Sequence, residues 1–158
     1  MPLPSTPDPL SRLLAVHAET RQRLQSLTGA PSAAGAFIAW FEGPARLADD
    51  ILEHRLFPAL IESMAGSDAV CLKGMTGGLA RDRADLDRRW RQTVRPALDR
   101  PTAEATRTAV QAWAPDLQVW LTRTDEELLP MAARLLDDTA LDTLAADCSA
   151  LDAPAAPC

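Results

Sequence analysis

The chain has 158 residues, 47% of them hydrophobic and 24% charged, with a formal net charge of −6. That is enough for one core-bearing domain, and the acid excess without any basic stripe argues against a nucleic-acid surface or an anionic membrane as partner. Tyrosine is absent, which excludes any mechanism that needs a tyrosyl radical or a phenolic acid.

Alanine and leucine dominate the apolar set and favour helix over sheet. The opening MPLPSTPDPL has no basic stretch leading into an apolar run, and no segment approaches ~18 consecutive apolar residues. A cytoplasmic protein with no membrane partner is expected. Cys71, Cys148 and Cys158 are odd in number and form no CxxC, so neither a disulfide framework nor a zinc knuckle is indicated, and three free thiols suit a reducing compartment.

Asp8 is placed to cap a first helix, Pro9 suits its first position, and Leu10, Leu13, Leu14, Leu24 and Leu27 recur at helical spacing before Gly29. A second helix is predicted over about 32–64, with a break or kink at Gly43 and Pro44, an internal Pro58 that costs a backbone hydrogen bond, and Gly66 at its end. A third runs from about 68 to 98, weakened by Gly74, Gly77 and Gly78 and strongest from Leu79 on. Thr102, with Glu104 following, opens a fourth that extends to about 136 and is expected to bend at Pro115 and Pro130. A short fifth helix over about 140–151 precedes the tail DAPAAPC. The predicted fold class is all-α, a single domain whose core spans about 8–151. Short loops between four long helices make an up-down-up-down antiparallel bundle the expected architecture.

Each long helix carries polar residues on its apolar stripe when the chain is advanced by about 100° per residue. His17 interrupts the leucines of the first helix. In DDILEHRLFPAL, Asp49 and Glu53 fall at the centre of the face made by Leu52, Leu56, Leu60 and Met64, while Asp50 and His54 fall toward its flank. Arg83 interrupts the run Leu72, Leu79, Leu86, Trp90, Val94 and Leu98, with Asp87 one turn on. In the fourth helix Thr124 sits within a face of Trp113, Leu117, Trp120, Leu128, Met131 and Leu135, and Asp125 and Glu127 lie on opposite flanks. The tryptophans, Met64 and Met131 are expected to be plain core. Two acids one turn apart on a core face repel and are costly to desolvate, so a cation must compensate them. Arg83, a protonated His17, Arg21, Arg46 or a metal ion can serve.

The stretches LLAVHAETRQRLQSL, ILEHRLFPAL, LARDRADLDRRW and TDEELLPMAARLLDD, followed by TALDTLAADCSAL, resemble in order the hemerythrin-like (HHE cation-binding) family over about residues 8–151. The resemblance implies a four-helix bundle around a non-haem di-iron site of five histidines and two bridging carboxylates. Carried over residue by residue, the first-helix histidine falls on His17 and the second-helix pair on Asp49 and Glu53. The third-helix histidines fall on Arg83 and Asp87, and the last pair on Trp120 and Asp125. One histidine of five remains, and an arginine, which cannot ligate, stands where iron would be.

Three outcomes follow. A metal-free layer is expected in which Arg83, Trp120 and Thr124 stand where the metal would lie, with no cofactor. A single divalent iron or manganese ion held by His17, Asp49, Glu53, Asp87 and Asp125, with His54 and Glu127 as further candidates, is the alternative. A di-iron centre comes last. The corresponding functions are a module for binding or sensing a small molecule or a protein partner, as monomer or homodimer, or a metal protein handling dioxygen, peroxide, nitric oxide or iron. A cofactor-free enzyme using the buried acids has the least support, because no triad, phosphate loop or nucleophile elbow is present and no catalytic residue is assigned.

Overall fold

The computed structural model describes residues 7–99 and 102–152. Among them there is no strand. Four long helical segments and a short C-terminal one account for nearly all of the chain. We label them α1 (Pro9–Gly29), α2 (residues 34–62, after a short 3-10 turn Pro31–Ala33), α3 (residues 67–99), α4 (residues 103–135) and α5 (Asp138–Cys148), the last running into a 3-10 turn Ser149–Asp152. No helix of the described residues is long and apolar enough to cross a membrane.

The starts follow the capping chemistry of the sequence. Asp8 accepts from the Ser11 backbone N–H at 3.0 Å with Pro9 at the first helical position, Thr102 accepts from Ala105 N–H at 3.2 Å, and Asp137 from Ala140 N–H at 2.8 Å. Each side-chain oxygen satisfies one of the donors that a helix N-terminus leaves unpaired. Between α2 and α3 the chain turns at Gly66, whose φ of 67° lies in the left-handed region where a side chain would be strained.

The prolines inside α2, α3 and α4 do not end these helices. They are accommodated by wide π-type turns at Leu52–Leu56, Trp90–Val94 and Thr124–Leu128. Each ends two residues before a proline: Pro58, Pro96 and Pro130. In each, the residue immediately before the proline reaches back five positions, Phe57 to the Leu52 carbonyl, Arg95 to Trp90 and Leu129 to Thr124. A proline ring in a regular helix clashes with the carbonyl four residues back and offers it no N–H; widening the preceding turn by one residue relieves both problems. A fourth wide turn, Phe41–Ala45, contains Pro44, whereas Pro115 sits within the regular Ala103–Arg123 helix.

The core is continuous along the molecule. At one level it is aromatic: Phe41 lies 4.5 Å from Trp90 and 5.1 Å from Trp113 between ring centroids, and Phe37 stacks on Phe41 at 5.6 Å. Such pairs add about 0.5–1.5 kcal/mol each beyond area burial. The indole N–H groups are satisfied, Trp113 donating to the Leu86 carbonyl at 3.1 Å and Trp90 to the Glu42 carboxylate at 3.1 Å. Five expected core positions differ. Leu14 is 39% exposed and Val16 takes its place in the α1 stripe, and Trp40, Met64, Met131 and Leu135 are only partly buried.

Contacts between consecutive helices run in descending order. Glu42, Arg46 and Asp49 of α2 meet Trp90, Asp87 and Arg83 of α3, and Asp82 and Arg89 of α3 meet Arg123 and Asp116 of α4. The short α5 packs against α1 and α2.

Candidate functional site

The charged residues of the interior lie beside the aromatic cluster, and each interior carboxylate there is held by an arginine. Arg83 of α3, 7% exposed, donates from Nε to Asp49 Oδ2 at 2.6 Å, and its Nη2 meets the same oxygen. Its guanidinium carbon lies 5.2 Å from the Phe41 ring centroid and 5.7 Å from that of Trp120, within reach of a cation–π attraction. Burial pushes the Asp49 carboxyl above its ordinary value of 3.8, against the pull of the Arg83 and His17 charges.

Near Trp120 on the same helix, Asp125 joins α4 to α1. Its Oδ1 accepts from His17 Nδ1, and its Oδ2 forms an ion pair with Arg21 Nη1 at 2.7 Å. His17 and Arg21 are one turn apart on α1, so the two side chains address the two oxygens of one carboxylate. The His17 ring stands edge-on to Trp120, centroids 5.9 Å apart. Trp120 itself is pinned by its Nε1 donating to the Leu79 carbonyl at 2.9 Å, and the fully buried Thr124 hydroxyl donates to the Trp120 carbonyl at 2.9 Å. His17 Nε2 and Arg83 Nη1 are buried and have no protein partner.

Asp87 turns to the flank, where Arg46 Nη2 lies at 2.5 Å and Arg91 Nη2 at 3.2 Å. It therefore belongs to an α2–α3 bridge rather than to a shared centre with His17. Glu53 is exposed, not inward-facing. Two physical reasons account for this correction. The buried residues Ala48, Leu52, Leu56 and Leu60 are spaced by four, and the wide turn keeps that spacing on a straight line instead of letting it drift. Glu53, directly after Leu52, is thus turned off the stripe. Among the described residues no cation pairs with Glu53, so nothing would offset the cost of its burial. His54 and Glu127 are likewise exposed.

The arrangement balances without Glu53. Asp49 faces Arg83, Asp87 faces Arg46 and Arg91, and Asp125 faces Arg21, so that each carboxylate has at least one guanidinium. Arg21 and Arg46 were available in the sequence as compensating cations; Glu42, which accepts from both Trp90 and Arg95, was missed there, although an acid four residues before Arg46 on the same helix was the signal. The donors do not fit a di-iron centre: one imidazole remains, its carboxylate is shared with Arg21, and the other carboxylates are bound to arginines. Among the described residues no group of three His, Cys, Asp or Glu side chains converges as a metal cluster. No protein-family model, curated protein or solved structure matches this chain.

Proposed function

We propose that the chain is a hemerythrin-like, up-down-up-down antiparallel four-helix bundle in which arginine–aspartate pairs take the place of the metal, and that it serves as a module for binding or sensing a small molecule or a protein partner. The observation that carries this reading is that Asp49, Asp87 and Asp125, at positions where the resemblance puts ligands, are each paired with arginine: Arg83, Arg46 with Arg91, and Arg21. The descending contacts from α2 to α3 and from α3 to α4 support the antiparallel order. An arginine is always charged and offers only donors, so Arg83 repels a cation at the place where a ligand histidine would attract one.

Elemental analysis of protein purified from cells supplied with iron and manganese tests it. The expected result is far less than one equivalent of either metal and no iron-oxo absorption in aerobic protein. Near-stoichiometric iron or manganese would overturn it. One observation favours the alternative of a single divalent ion: His17 orients its Nδ1 on a carboxylate and leaves Nε2 unpartnered, the pattern of a metal-ligating histidine.

A further inference from the structure

Besides Met1 the sequence has three methionines, Met64, Met75 and Met131, and all three line one groove. They come from different parts of the chain. Met64 lies just past the end of α2, Met75 in the first turns of α3, and Met131 in the last turns of α4. Cys71 joins them from α3, one turn before Met75, so a thiol and a thioether share a helix face. The groove measures about 210 Å³, and Leu72 and Leu135 complete its apolar wall. Asp68 is the single charged lining residue; no lysine, arginine or histidine takes part.

Methionine ordinarily fills irregular gaps in a core. These three are only half-buried, and Cys71 beside them is exposed. The groove thus gathers every thioether that follows Met1 around an open thiol, and leaves them facing solvent. Thiolate and thioether sulfurs are soft donors that select Cu(I) over hard or borderline divalent ions. The charge also suits a small cation, since a thiolate and Asp68 face no competing positive group. Three rotatable bonds in each methionine allow the sulfurs to turn inward without moving the helices.

From this geometry we infer that the groove binds one Cu(I) ion, through the Cys71 thiolate and the thioethers of Met64, Met75 and Met131. Binding replaces the thiol proton by copper, so each ion bound releases one proton. The site is separate from the arginine–aspartate layer: Met75 and Arg83 are eight positions apart on α3, about 12 Å of helix. It shares no ligand with that layer, and copper in the groove and iron or manganese in the interior are told apart by element.

The test is anaerobic titration of the full chain with Cu(I) against a chromophoric Cu(I) chelator. One equivalent withheld from the chelator is expected. Cys71→Ser should weaken binding by about 100-fold or more, and Met75→Leu and Met131→Leu by about tenfold each, with thermal denaturation nearly unchanged because the swaps conserve volume. Cys158→Ser should bind as the parent does. The inference is overturned if the chelator keeps all the copper, if the loss follows Cys158 instead of Cys71, or if both leucine variants bind like the parent.

Discussion

Asp49→Asn and Arg83→Met remove the two ends of the same buried pair, yet their costs should differ. The first keeps the shape of the aspartate but leaves a guanidinium that is 7% exposed without a counter-charge, and arginine cannot shed its proton. Removing one partner of a buried pair costs about 3–5 kcal/mol. The retained amide oxygen sets the lower end, about 3 kcal/mol, or a melting temperature lowered by about 6–12 °C in a chain of this size. Arg83→Met leaves Asp49 buried alone, but that carboxyl is already pushed above 3.8 and can take up a proton. Its penalty is therefore limited to the cost of protonation, about 1.4 kcal/mol for each pH unit above the unfolded pKa until the folded value is reached. An acid whose folded pKa exceeds its unfolded one contributes stability below the unfolded value and loses it as pH rises through the folded value. The Arg83→Met penalty should accordingly shrink on acidification toward the unfolded value, whereas the Asp49→Asn penalty should not shrink, because the parent's own Asp49 is raised and stabilises more as the pH falls. Asp49→Leu combined with Arg83→Met should recover most of the loss, and Glu53→Ala, at an exposed site, should change stability by no more than about 0.5 kcal/mol. Urea and thermal denaturation followed by far-UV circular dichroism measure all of these variants. A neutral Asp49→Asn variant, or an Arg83→Met penalty that grows on acidification, would refute the buried pair.

Asp125→Ala strips the acceptor from both His17 Nδ1 and Arg21, and the buried imidazole alone should cost about 1–3 kcal/mol in urea denaturation; a loss below about 0.5 kcal/mol would mean that His17 is paired elsewhere. Burial pushes the Cys148 thiol up to about 11, while Cys71 is exposed. Alkylation of the native protein near pH 8 followed by peptide mass mapping should label Cys71 and spare Cys148 until the chain is denatured. Equal labelling would contradict the burial of Cys148.

Caps and breaks were legible because they are local: Asp8, Pro9 and Thr102 each act on backbone within three residues. The polar layer was legible as composition, since His17, Arg83, Thr124 and the flanking Asp125 stand out against leucine and tryptophan on their stripes. Its wiring was not. A straight projection assumes a constant turn, and the wide turns violate that assumption in α2, α3 and α4. Glu53 was misassigned in the wide turn Leu52–Leu56 itself. Leu14 failed for another reason: it sits a quarter-turn past the fully buried Leu13, and the α1 stripe runs through Val16 and His17 instead. The wide turns do leave a sequence trace, since Pro58, Pro96 and Pro130 each follow one at the same distance, so a proline deep inside a periodic stretch signals where the projection has to be reset.

The charge pairs also divide the layer in a way that a single ion would not. Asp49 of α2 meets Arg83 of α3, and one turn away the polarity is reversed, Arg46 of α2 meeting Asp87 of α3. These reciprocal pairs fix the register of α2 on α3, because a slip by one turn would set Arg46 against Arg83 or Asp49 against Asp87. Asp125 does the same for α4 on α1 through His17 and Arg21. Trp120 lies between the two networks, with His17 at its edge and Arg83 near its ring, and the His17 charge also reaches Asp49. A metal bound by all four helices would tie them through one centre. Here α2–α3 and α4–α1 are each locked by partly buried charges, while α3 and α4 are joined by the Trp120 contacts and by the more exposed pairs Arg89–Asp116 and Arg123–Asp82, which water screens, so this joint is the place where the bundle can yield with the least electrostatic loss.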